Sequence, residues 1–331
     1  MKPRVVHITD GKVYKNNGNE KAGHSSNAKL LDKYYNFEEI IQTRPDTDPN
    51  KTLKEIEKID PDVVLFSIIN NCTLELSKKL QKKYVTVLRT SINLIEVGLS
   101  NIFRKMYTKI VRGLTYFDIL IPSDEVQKKN LETLGHQFVW DSIEPMVEIN
   151  YFKQFRNNNK KNFIGTVGRH TPIKNMYCNI HICENIFRRI PDTRMLIYNG
   201  GKINAQLIKY AKNSGWLGNI LFRGKKEKKE IYNKCKVMLS MSINENHSIA
   251  VIEARASGIP IICSDISGHK GGIKIPYDNI SDASDKLYKL LTDNKYYKEK
   301  QEEGYKDLER YKPENIIPKY EKVFECAMGL K

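Results

Sequence analysis

Short apolar runs alternate with amphipathic segments along most of the chain. In the first half, the apolar runs predict strands at 5–8, 62–66, 85–88 and 119–121, and the three-to-four-residue periodicity predicts helices at 51–58, 73–83, 99–115 and 124–134. In the second half, strands are predicted at 163–167, 195–198, 220–222, 237–241 and 260–263, with helices between them. Alternation of strands that are apolar on both sides with helices predicts an α/β protein with doubly wound parallel sheets.

A polar segment separates the two series. Residues 155–162 have no apolar period, which is typical of a linker. We therefore predict a first Rossmann-like domain at 1–155, a second at 156–312, and a last segment, 313–331, whose helix at 313–328 crosses back to the first domain. Two such sheets are expected to face a cleft at the carboxyl ends of their strands, where open α/β sheets bind ligands.

Composition places the chain among folded proteins of the cytoplasm. Of its 331 residues, 40% are hydrophobic and 28% charged, so wholesale disorder is not expected. The sequence has no apolar stretch near the roughly 20 residues that span a bilayer, and too few apolar residues before Asp10 for a secretory signal. The six cysteines are scattered, which indicates reduced thiols and a cytoplasmic location.

The positive charge is concentrated in one part of the chain. The formal net charge is +16, and residues 151–236 carry 19 Lys and Arg against 4 Asp and Glu. Such a block attracts anions, which include nucleotide phosphates, anionic lipid and nucleic acid. Charge alone does not choose among them.

A turn that contains glycine follows the strand at 163–167. Gly165 and Gly168 permit close approach of the backbone, and Arg169 and Lys174 lie where the next helix opens. Two cations beside the free N–H groups of a helix N-terminus can hold a diphosphate. The alternative is a pair of solvated cations beside a turn.

Two glutamates frame the start of a later helix. Glu245 ends the loop after the strand at 237–241, a helix is expected to begin near His247 or Ser248, and Glu253 lies inside that helix. Eight residues at a rise of about 1.5 Å separate the two carboxylates by about 12 Å, which matches the two ends of a nucleotide sugar. Small residues, then Gly258 and Pro260, end the helix before the next strand.

Taken together, these two segments resemble the donor domain of retaining glycosyltransferases of the GT-B fold, family four, whose motif is Glu, seven residues, Glu. The resemblance covers about 160–275 and extends weakly to 147–152. It implies a GT-B architecture of two Rossmann-like domains that face a cleft. It also implies transfer of a hexose-type sugar from a nucleotide-diphosphate sugar to a hydroxyl group, with no metal or other cofactor.

The resemblance assigns roles to individual residues. Arg169 and Lys174 would hold the diphosphate, Glu245 the transferred sugar and Glu253 the ribose hydroxyls, so that Glu245, Arg169 and Lys174 are the predicted catalytic residues. The other predicted donor-binding residues are Gly168, Asn246, His247, Ser248, Ile249, Gly23 and His24.

The first domain departs from the family pattern in two places. Gly23 and His24 stand in for the glycine pair that usually follows the first strand, within a loop from Asp10 to Ser26 that is either a flexible lid or a simple connector. Many relatives have a histidine at the end of the fourth strand of this domain, whereas this chain has Arg89 and Thr90 there, after the predicted strand at 85–88. These two residues are the predicted acceptor-side residues, although Arg89 also fits a surface cation at the end of a strand.

Other acidic and histidine residues do not predict a metal site. Asp46-Thr47-Asp48 resembles the metal-binding Asp-x-Asp of the other main glycosyltransferase fold, but it lies between two prolines in a turn. The histidines have no common ligand spacing. We therefore expect no metal.

A basic amphipathic segment bears on the acceptor. Residues 99–114 place apolar side chains on one side of a helix and Arg104, Lys105, Lys109 and Arg112 on the other. Such a helix either rests on anionic lipid at the inner face of the membrane or packs on the sheet with its charges in water. Enzymes that the chain resembles often use this part of the first domain to reach lipid-linked acceptors, so the resemblance implies a lipid-linked or cell-envelope glycan as the acceptor, as in polysaccharide biosynthesis.

Two other functions fit parts of the sequence. The basic block 151–236 could follow phosphates, as a phage-type enzyme that glycosylates modified bases of nucleic acid would require, but it has few interleaved aromatic residues. A sugar-nucleotide-binding protein without catalysis is the second alternative. Turnover of a sugar nucleotide separates an enzyme from such a binding protein.

Overall fold

The computed structural model describes residues 2–10, 13–16, 19–22, 26–90, 111–136, 138–156 and 161–330. The chain forms two compact units: unit 1 comprises Met1–Val147 and Tyr311–Lys331, and unit 2 comprises Glu148–Arg310. Both units have the α/β architecture with a parallel sheet that the sequence predicts.

The parallel strands of unit 1 are β1 (Val5–Asp10), β4 (Glu39–Thr43), β5 (Val63–Phe66), β6 (Val85–Arg89) and β7 (Ile119–Ile121). They lie side by side in the order β4–β1–β5–β6–β7. An antiparallel pair, β2 (Val13–Asn16) and β3 (Asn19–Ala22), follows β1 in the chain. Counted along the chain, the parallel strands run 2-1-3-4-5, so the winding reverses direction between β1 and β5.

The helices of unit 1 that follow these strands are α1 (Ser26–Tyr34), α2 (Pro49–Ile59), α3 (Asn71–Leu80) and α4 (Glu125–Thr133). Successive strand residues point to opposite faces, so β5 supplies Val63 and Leu65 to one core and Val64 and Phe66 to another. Apolar side chains therefore cover both faces of the sheet, as a doubly wound fold requires.

The strands of unit 2 are β8 (Phe163–Val167), β9 (Arg194–Tyr198), β10 (Ile220–Gly224), β11 (Val237–Ser240), β12 (Ile261–Ser264) and β13 (Ile273–Ile275). Their order is β10–β9–β8–β11–β12–β13, and the pairs are parallel. Counted along the chain, this order is 3-2-1-4-5-6, so the winding reverses between β8 and β11.

The helices of unit 2 are α5 (Ile149–Lys153), α6 (Met176–Arg189), α7 (Asn204–Asn213), α8 (Lys228–Lys234), α9 (Ile249–Ala256), α10 (Ile280–Thr292) and α11 (Asn294–Gly304). A large buried cluster joins α6 and α10 to the central strands through Ile186, Leu287 and Leu239. This packing fixes the loops that leave β8 and β11.

The unit boundaries differ by a few residues from the predicted domain limits of 155 and 312. Residues 148–156 group with unit 2, because the ring of Phe152 packs at 5.3 Å from that of Tyr232 and the Arg156 guanidinium donates to the carbonyl of Ala256. The last helix, α12 (Pro313–Met328), has the predicted bounds and groups with unit 1. Its Phe324 packs edge-on against Tyr35 at 5.2 Å.

Every strand predicted from apolar runs is confirmed, with bounds that agree within two residues. The loop predicted between Asp10 and Ser26 is corrected, because it contains the β2–β3 pair. The edge strands β4 and β13 were not predicted, since β4 alternates exposed and buried positions at its end and β13 has three residues. Most of the basic helix predicted at 99–114 lies outside the described residues.

Candidate functional site

Two loops meet where the winding of unit 2 reverses. One follows β8 and holds residues 168–174, and the other follows β11 and holds residues 241–248. Because β8 and β11 are neighbouring parallel strands, both loops leave the same edge of the sheet. The Ile243 N–H donates to the carbonyl of Ile173 at 2.8 Å, which ties the two loops together. This edge, at a reversal of winding, is where open α/β sheets bind ligands.

Lys174 and Glu245 join the two loops by an ion pair. The Lys174 ammonium contacts Oε1 of Glu245, and the Ser242 hydroxyl donates to the same oxygen at 2.9 Å. Exposure is 21% for the Lys174 side chain and 13% for that of Glu245, so both groups are only partly shielded from water. The structure thus brings together a predicted phosphate ligand and the predicted ligand of the transferred sugar.

Local backbone geometry positions Lys174. A short 3₁₀ turn at Pro172–Lys174 ends at Asn175, which has φ of 46° and starts α6. The aliphatic stem of Lys174 runs beside Gly168, and a Cβ at Gly168 would lie 3.5 Å from Cδ of this lysine. Gly168 therefore leaves a shallow surface along which the lysine side chain can lie.

Arg169 projects from the same turn. Its side chain is exposed, and its guanidinium has no hydrogen bond or ion pair with any residue that the structure describes. A guanidinium has five donors in a planar fork that suits phosphate oxygens. Arg169 and Lys174 can therefore share a diphosphate once Lys174 exchanges its glutamate partner for phosphate.

The N-terminus of α9 lies beside Glu245. The helix begins at Ile249, one or two residues later than predicted, after the buried cap residue Ser248. Asn246, His247 and Ile249 are half-buried in this turn. The first N–H groups of a helix have no partner within it and favour anions.

Gly268 holds this turn in place. The Ser248 N–H donates to the carbonyl of Gly268 at 2.9 Å. A Cβ at Gly268 would lie 1.9 Å from the carbonyl oxygen of Glu245, so no larger residue fits without moving the loop. The close approach of these two backbone segments requires glycine at this position.

Glu253, the second glutamate of the motif, is engaged by two residues that the sequence reasoning missed. Lys228 donates to both of its oxygens at 2.6 Å, and the Tyr232 hydroxyl donates to Oε2 at 2.6 Å. The Glu253 side chain is 4% exposed, whereas that of Lys228 is 39% exposed. These bonds take three of the roughly four lone-pair positions of the carboxylate.

Burial and the charge of Glu253 raise the pKa of Tyr232 well above its usual value, so this hydroxyl remains a donor. Lys228 belongs to the basic run at 225–229. Glu253 lies 25 residues further along the chain, so no local sequence pattern indicates that the two residues pair. In the same run, Lys226 pairs with Glu230 at 3.6 Å. Part of the run is therefore neutralised within unit 2.

A buried histidine, His269, is hydrogen-bonded to residues that precede and support the Glu245 loop. His269 Nδ1–H donates to the carbonyl of Ser264 at 2.9 Å, so its Nε2 accepts from the hydroxyl of Ser240 at 3.2 Å. The hydroxyl of Ser264 in turn donates to the carbonyl of Ser242. Burial lowers the pKa of His269, which keeps the ring neutral.

The predicted acceptor-side residues Arg89 and Thr90 belong to unit 1. Arg89 ends β6 and is half-buried, and its Nε has no hydrogen-bond partner among the described residues. Thr90 is buried, and its hydroxyl accepts from Gln127 at 3.4 Å. Gly23 and His24 lie outside the described residues.

Asp46 and Asp48 do not form a metal site in the structure. The Asp48 carboxylate caps α2 by accepting from the N–H of Asn50 at 2.9 Å. Within the part of the chain that the structure describes, no group of three or more His, Cys, Asp and Glu residues is placed to hold a metal ion. In the same residues, no helix is both long and apolar enough to cross a bilayer.

The sequence of unit 2 matches a known family. Residues 147–307, a little under half of the chain, match the family model described as glycosyl transferases group 1. The matched segment contains the loops after β8 and β11 and both glutamates. No curated protein is similar enough in sequence to be matched with the chain.

The fold is similar to that of several solved glycosyltransferases. A mutant of TarM from S. aureus, in complex with fondaparinux, α-GlcNAc-glycerol and UDP, has a TM-score of 0.69 at 19% identity over 82% of this chain and 58% of TarM. HepE from Anabaena, in complex with UDP-glucose, has a TM-score of 0.76 at 10% identity over 98% of this chain and 100% of HepE. Sucrose-phosphate synthase from Thermosynechococcus elongatus has a TM-score of 0.78 at 12% identity over 99% of this chain and 100% of the synthase.

These likenesses concern the fold. The chain spans about three fifths of TarM. It follows nearly the whole length of HepE and of the synthase, with both parallel-sheet units included. The chain therefore has the fold of the GT-B glycosyltransferases, and its residues 147–307 match the family model described as glycosyl transferases group 1.

Proposed function

We propose that this protein is a retaining glycosyltransferase that moves a sugar from a UDP-sugar to a hydroxyl group of a glycan. The proposal rests on one observation above all. Arg169, Lys174, Glu245 and the N-terminus of α9 converge where the winding of unit 2 reverses, inside the family match. Two cations beside a helix N-terminus suit a diphosphate, and a neighbouring carboxylate suits sugar hydroxyls.

In the proposed complex, the diphosphate replaces Glu245 as the partner of Lys174. The freed carboxylate of Glu245 accepts hydrogen bonds from the transferred sugar, and Arg169 binds the diphosphate from the exposed side. Glu253 accepts from the ribose hydroxyls, with Lys228 giving up at least one of its two bonds. Each exchange replaces one charge-assisted bond by another, so the net cost of opening the site is small.

The chemical step needs no strong side-chain base. The bond between the anomeric carbon and the phosphate oxygen breaks, and the acceptor oxygen bonds to the same face of that carbon. The departing phosphate oxygen takes the proton of the acceptor hydroxyl. Arg169 and Lys174 stabilise the negative charge that grows on the phosphate, which is the largest expected contribution to the rate. No metal is required in this scheme.

UDP is the nucleotide that we propose because two structures of similar fold contain it. The TarM structure holds UDP and α-GlcNAc-glycerol, and the HepE structure holds UDP-glucose. We further propose a lipid-linked or cell-envelope glycan as acceptor, at the cytoplasmic face of the membrane. The TarM ligand and the basic pattern of residues 99–114 support this choice.

Nucleotide binding and turnover test the donor. Thermal shifts are measured with UDP, GDP and ADP, where a ligand at 100 times its Kd adds about 2.7 kcal/mol to the stability. UDP is expected to give the largest shift, and UDP-glucose or UDP-GlcNAc is expected to release UDP equally in buffer and in EDTA. Binding of UDP without turnover of either sugar nucleotide would favour a non-catalytic binding protein. Loss of turnover in EDTA would contradict the metal-free mechanism.

Stereochemistry and membrane binding test the finer points. When UDP-α-glucose is hydrolysed, proton NMR within the first minutes should show α-glucose before mutarotation, whereas β-glucose would indicate inversion. In flotation, the protein is expected to follow vesicles that contain phosphatidylglycerol and not those of phosphatidylcholine alone. Equal behaviour with both lipids would remove the membrane part of the proposal.

A further inference from the structure

Three polar side chains form a chain of hydrogen bonds inside unit 1. His7 is fully buried in β1, its Nδ1 lies 2.5 Å from Oδ1 of Asp32, and its Nε2 lies 2.7 Å from the hydroxyl oxygen of Ser67. Asp32 belongs to α1 and is 17% exposed, and Ser67 is half-buried after the last residue of β5. We call this group the Asp32–His7–Ser67 relay.

The relay lies at the point of unit 1 where the winding reverses. β1 and β5 are the two strands between which the reversal occurs, and His7 lies opposite Leu65 in their register. The Ser67 N–H donates to the carbonyl of Ile8 at 3.0 Å, which fixes the serine at the carboxyl end of β5. In an open parallel sheet, this is the position at which ligands bind.

The direction of the hydrogen bonds follows from the chemistry of the groups. An ionised carboxylate only accepts, so the proton between Asp32 and His7 is on Nδ1. In the neutral ring, Nε2 then accepts, and the Ser67 hydroxyl donates to it. The oxygen of Ser67 is left with its lone pairs available for an external donor, and its basicity is increased by the histidine behind it.

Packing holds the relay in this orientation. The ring of Phe37 lies 4.6 Å from that of His7 and covers it. Burial of an imidazole and a carboxylate is costly unless both are hydrogen-bonded, and apolar residues of similar volume would join β1, α1 and β5 at least as well. A polar relay that ends at a half-buried hydroxyl is better explained by a ligand than by stability.

We propose that Ser67 is the group that binds a hydroxyl of the acceptor in unit 1, with His7 and Asp32 as the residues that position it. The ligand class is a polyhydroxylated compound, a sugar or a glycerol unit, whose O–H donates to the serine oxygen. This proposal rests on the proposed function, since it adds the acceptor contact to a donor site in unit 2.

The imidazole signals of His7 provide a direct test. The full-length protein is labelled with ¹⁵N-histidine, and the His7 signals are assigned as those lost in His7→Gln. With UDP present, the signals are followed while glycerol, N-acetylglucosamine and methyl α-D-glucopyranoside are each added. At least one of these probes is expected to shift the His7 signals in the wild type and in Ser123→Ala, but not in Ser67→Ala. Ser123 is the matched control, because it follows β7 at the same sheet edge and its hydroxyl bonds to Gln127.

Each result decides the proposal. No shift of the His7 signals with any of the three probes would overturn it, as would shifts that persist unchanged in Ser67→Ala. A relay that is only structural would lower the melting temperature of Asp32→Asn and Ser67→Ala without changing any probe titration.

Kinetics give a second readout. For a probe that accepts the sugar, Ser67→Ala should raise its KM about tenfold, the effect of one lost hydrogen bond, whereas Ser123→Ala should leave that KM unchanged. UDP binding separates the two proposals: if UDP does not bind to the wild type, the donor proposal fails. If UDP binds and the His7 signals do not move, the acceptor proposal alone fails.

Discussion

Both units have an open parallel sheet in which the winding reverses once, and they differ in the chemistry at that point. In unit 2, this point carries the Lys174–Glu245 ion pair and the Arg169 guanidinium, which has no partner among the residues that the structure describes, and all three groups are at least partly open to water. In unit 1, it carries the Asp32–His7–Ser67 relay, which ends at a hydroxyl. The first arrangement suits a phosphate with its sugar, and the second suits a hydroxyl. Under the two proposals, the corresponding edge of each sheet would serve one half of a transfer reaction, and the variants below test that division.

The largest expected effect is the loss of Lys174. Lys174→Ala removes a cation from the leaving diphosphate, so turnover of the UDP-sugar should fall by about 10²–10³. The matched control is Lys212→Ala, on the exposed side of α7 in the same unit, which should retain full turnover. Turnover near the wild-type level in Lys174→Ala would remove the central role of unit 2.

The ribose end of the site should respond differently from the phosphate end. Glu253→Gln keeps the shape but loses the charge, so affinity for the nucleotide should fall about 10- to 100-fold. Calorimetry should show similar losses for uridine, UMP and UDP in this variant. In Lys174→Ala, the loss should instead grow from uridine to UDP. Equal losses for all three ligands in both variants would contradict the assignment of the two ends.

The packing of the Glu245 loop can be tested without removing a polar group. Gly268→Ala places a Cβ against the Glu245 carbonyl, and such overpacking typically costs about 1–3 kcal/mol. Urea unfolding should show this loss together with weaker UDP binding. In Gly218→Ala, the new Cβ would meet no described atom within 4 Å, so this control should unfold as the wild type does. If Gly268→Ala binds UDP normally, the loop is not held as described.

The smallest expected effect is on stability in acid. Burial lowers the pKa of His269 in unit 2 and that of His136 in unit 1 below the ordinary value near 6.5. The unfolded chain therefore takes up protons at a higher pH than the folded one, and the free energy of unfolding falls as the pH drops below about 6.5. Urea unfolding at several pH values should show a weaker decline in His269→Gln and in His136→Gln.

The two histidine variants sharpen the comparison of the units. Since His269 supports the loop of Glu245, acid should also weaken UDP binding in the wild type and in His136→Gln. A decline of UDP affinity that is equally steep in His269→Gln would show that this histidine does not couple the donor loop to pH.

Local patterns predicted most of the fold. Buried strands such as Val63–Phe66 form apolar runs, and the bounds of Pro313–Met328 follow from its periodicity and its initial proline. The donor roles of Glu245 and Glu253 come from the family resemblance, which was recognisable because the two glutamates lie within one short segment, and these roles stay predictions. Only the turn at 246–248 and the first residues of α9 separate the two glutamates, so their relative positions follow from local structure.

The remaining features depend on contacts that local patterns do not encode. Lys228 reaches Glu253 from another helix, and Asp32 and Ser67 are 25 and 60 residues from His7 in the chain. Glu39–Thr43 and Ile273–Ile275 form strands because a neighbouring strand pairs with each of them. Tertiary pairing of this kind leaves little trace in a single sequence.

The central claim is that a diphosphate binds between Arg169, Lys174 and the start of α9. A crystal structure of the full-length protein with UDP tests it most directly. The account predicts diphosphate oxygens within hydrogen-bonding distance of the Arg169 guanidinium and of Lys174 Nζ, with the ribose hydroxyls at Glu253. Electron density for UDP at any other surface, with Lys174 still paired to Glu245, would contradict it.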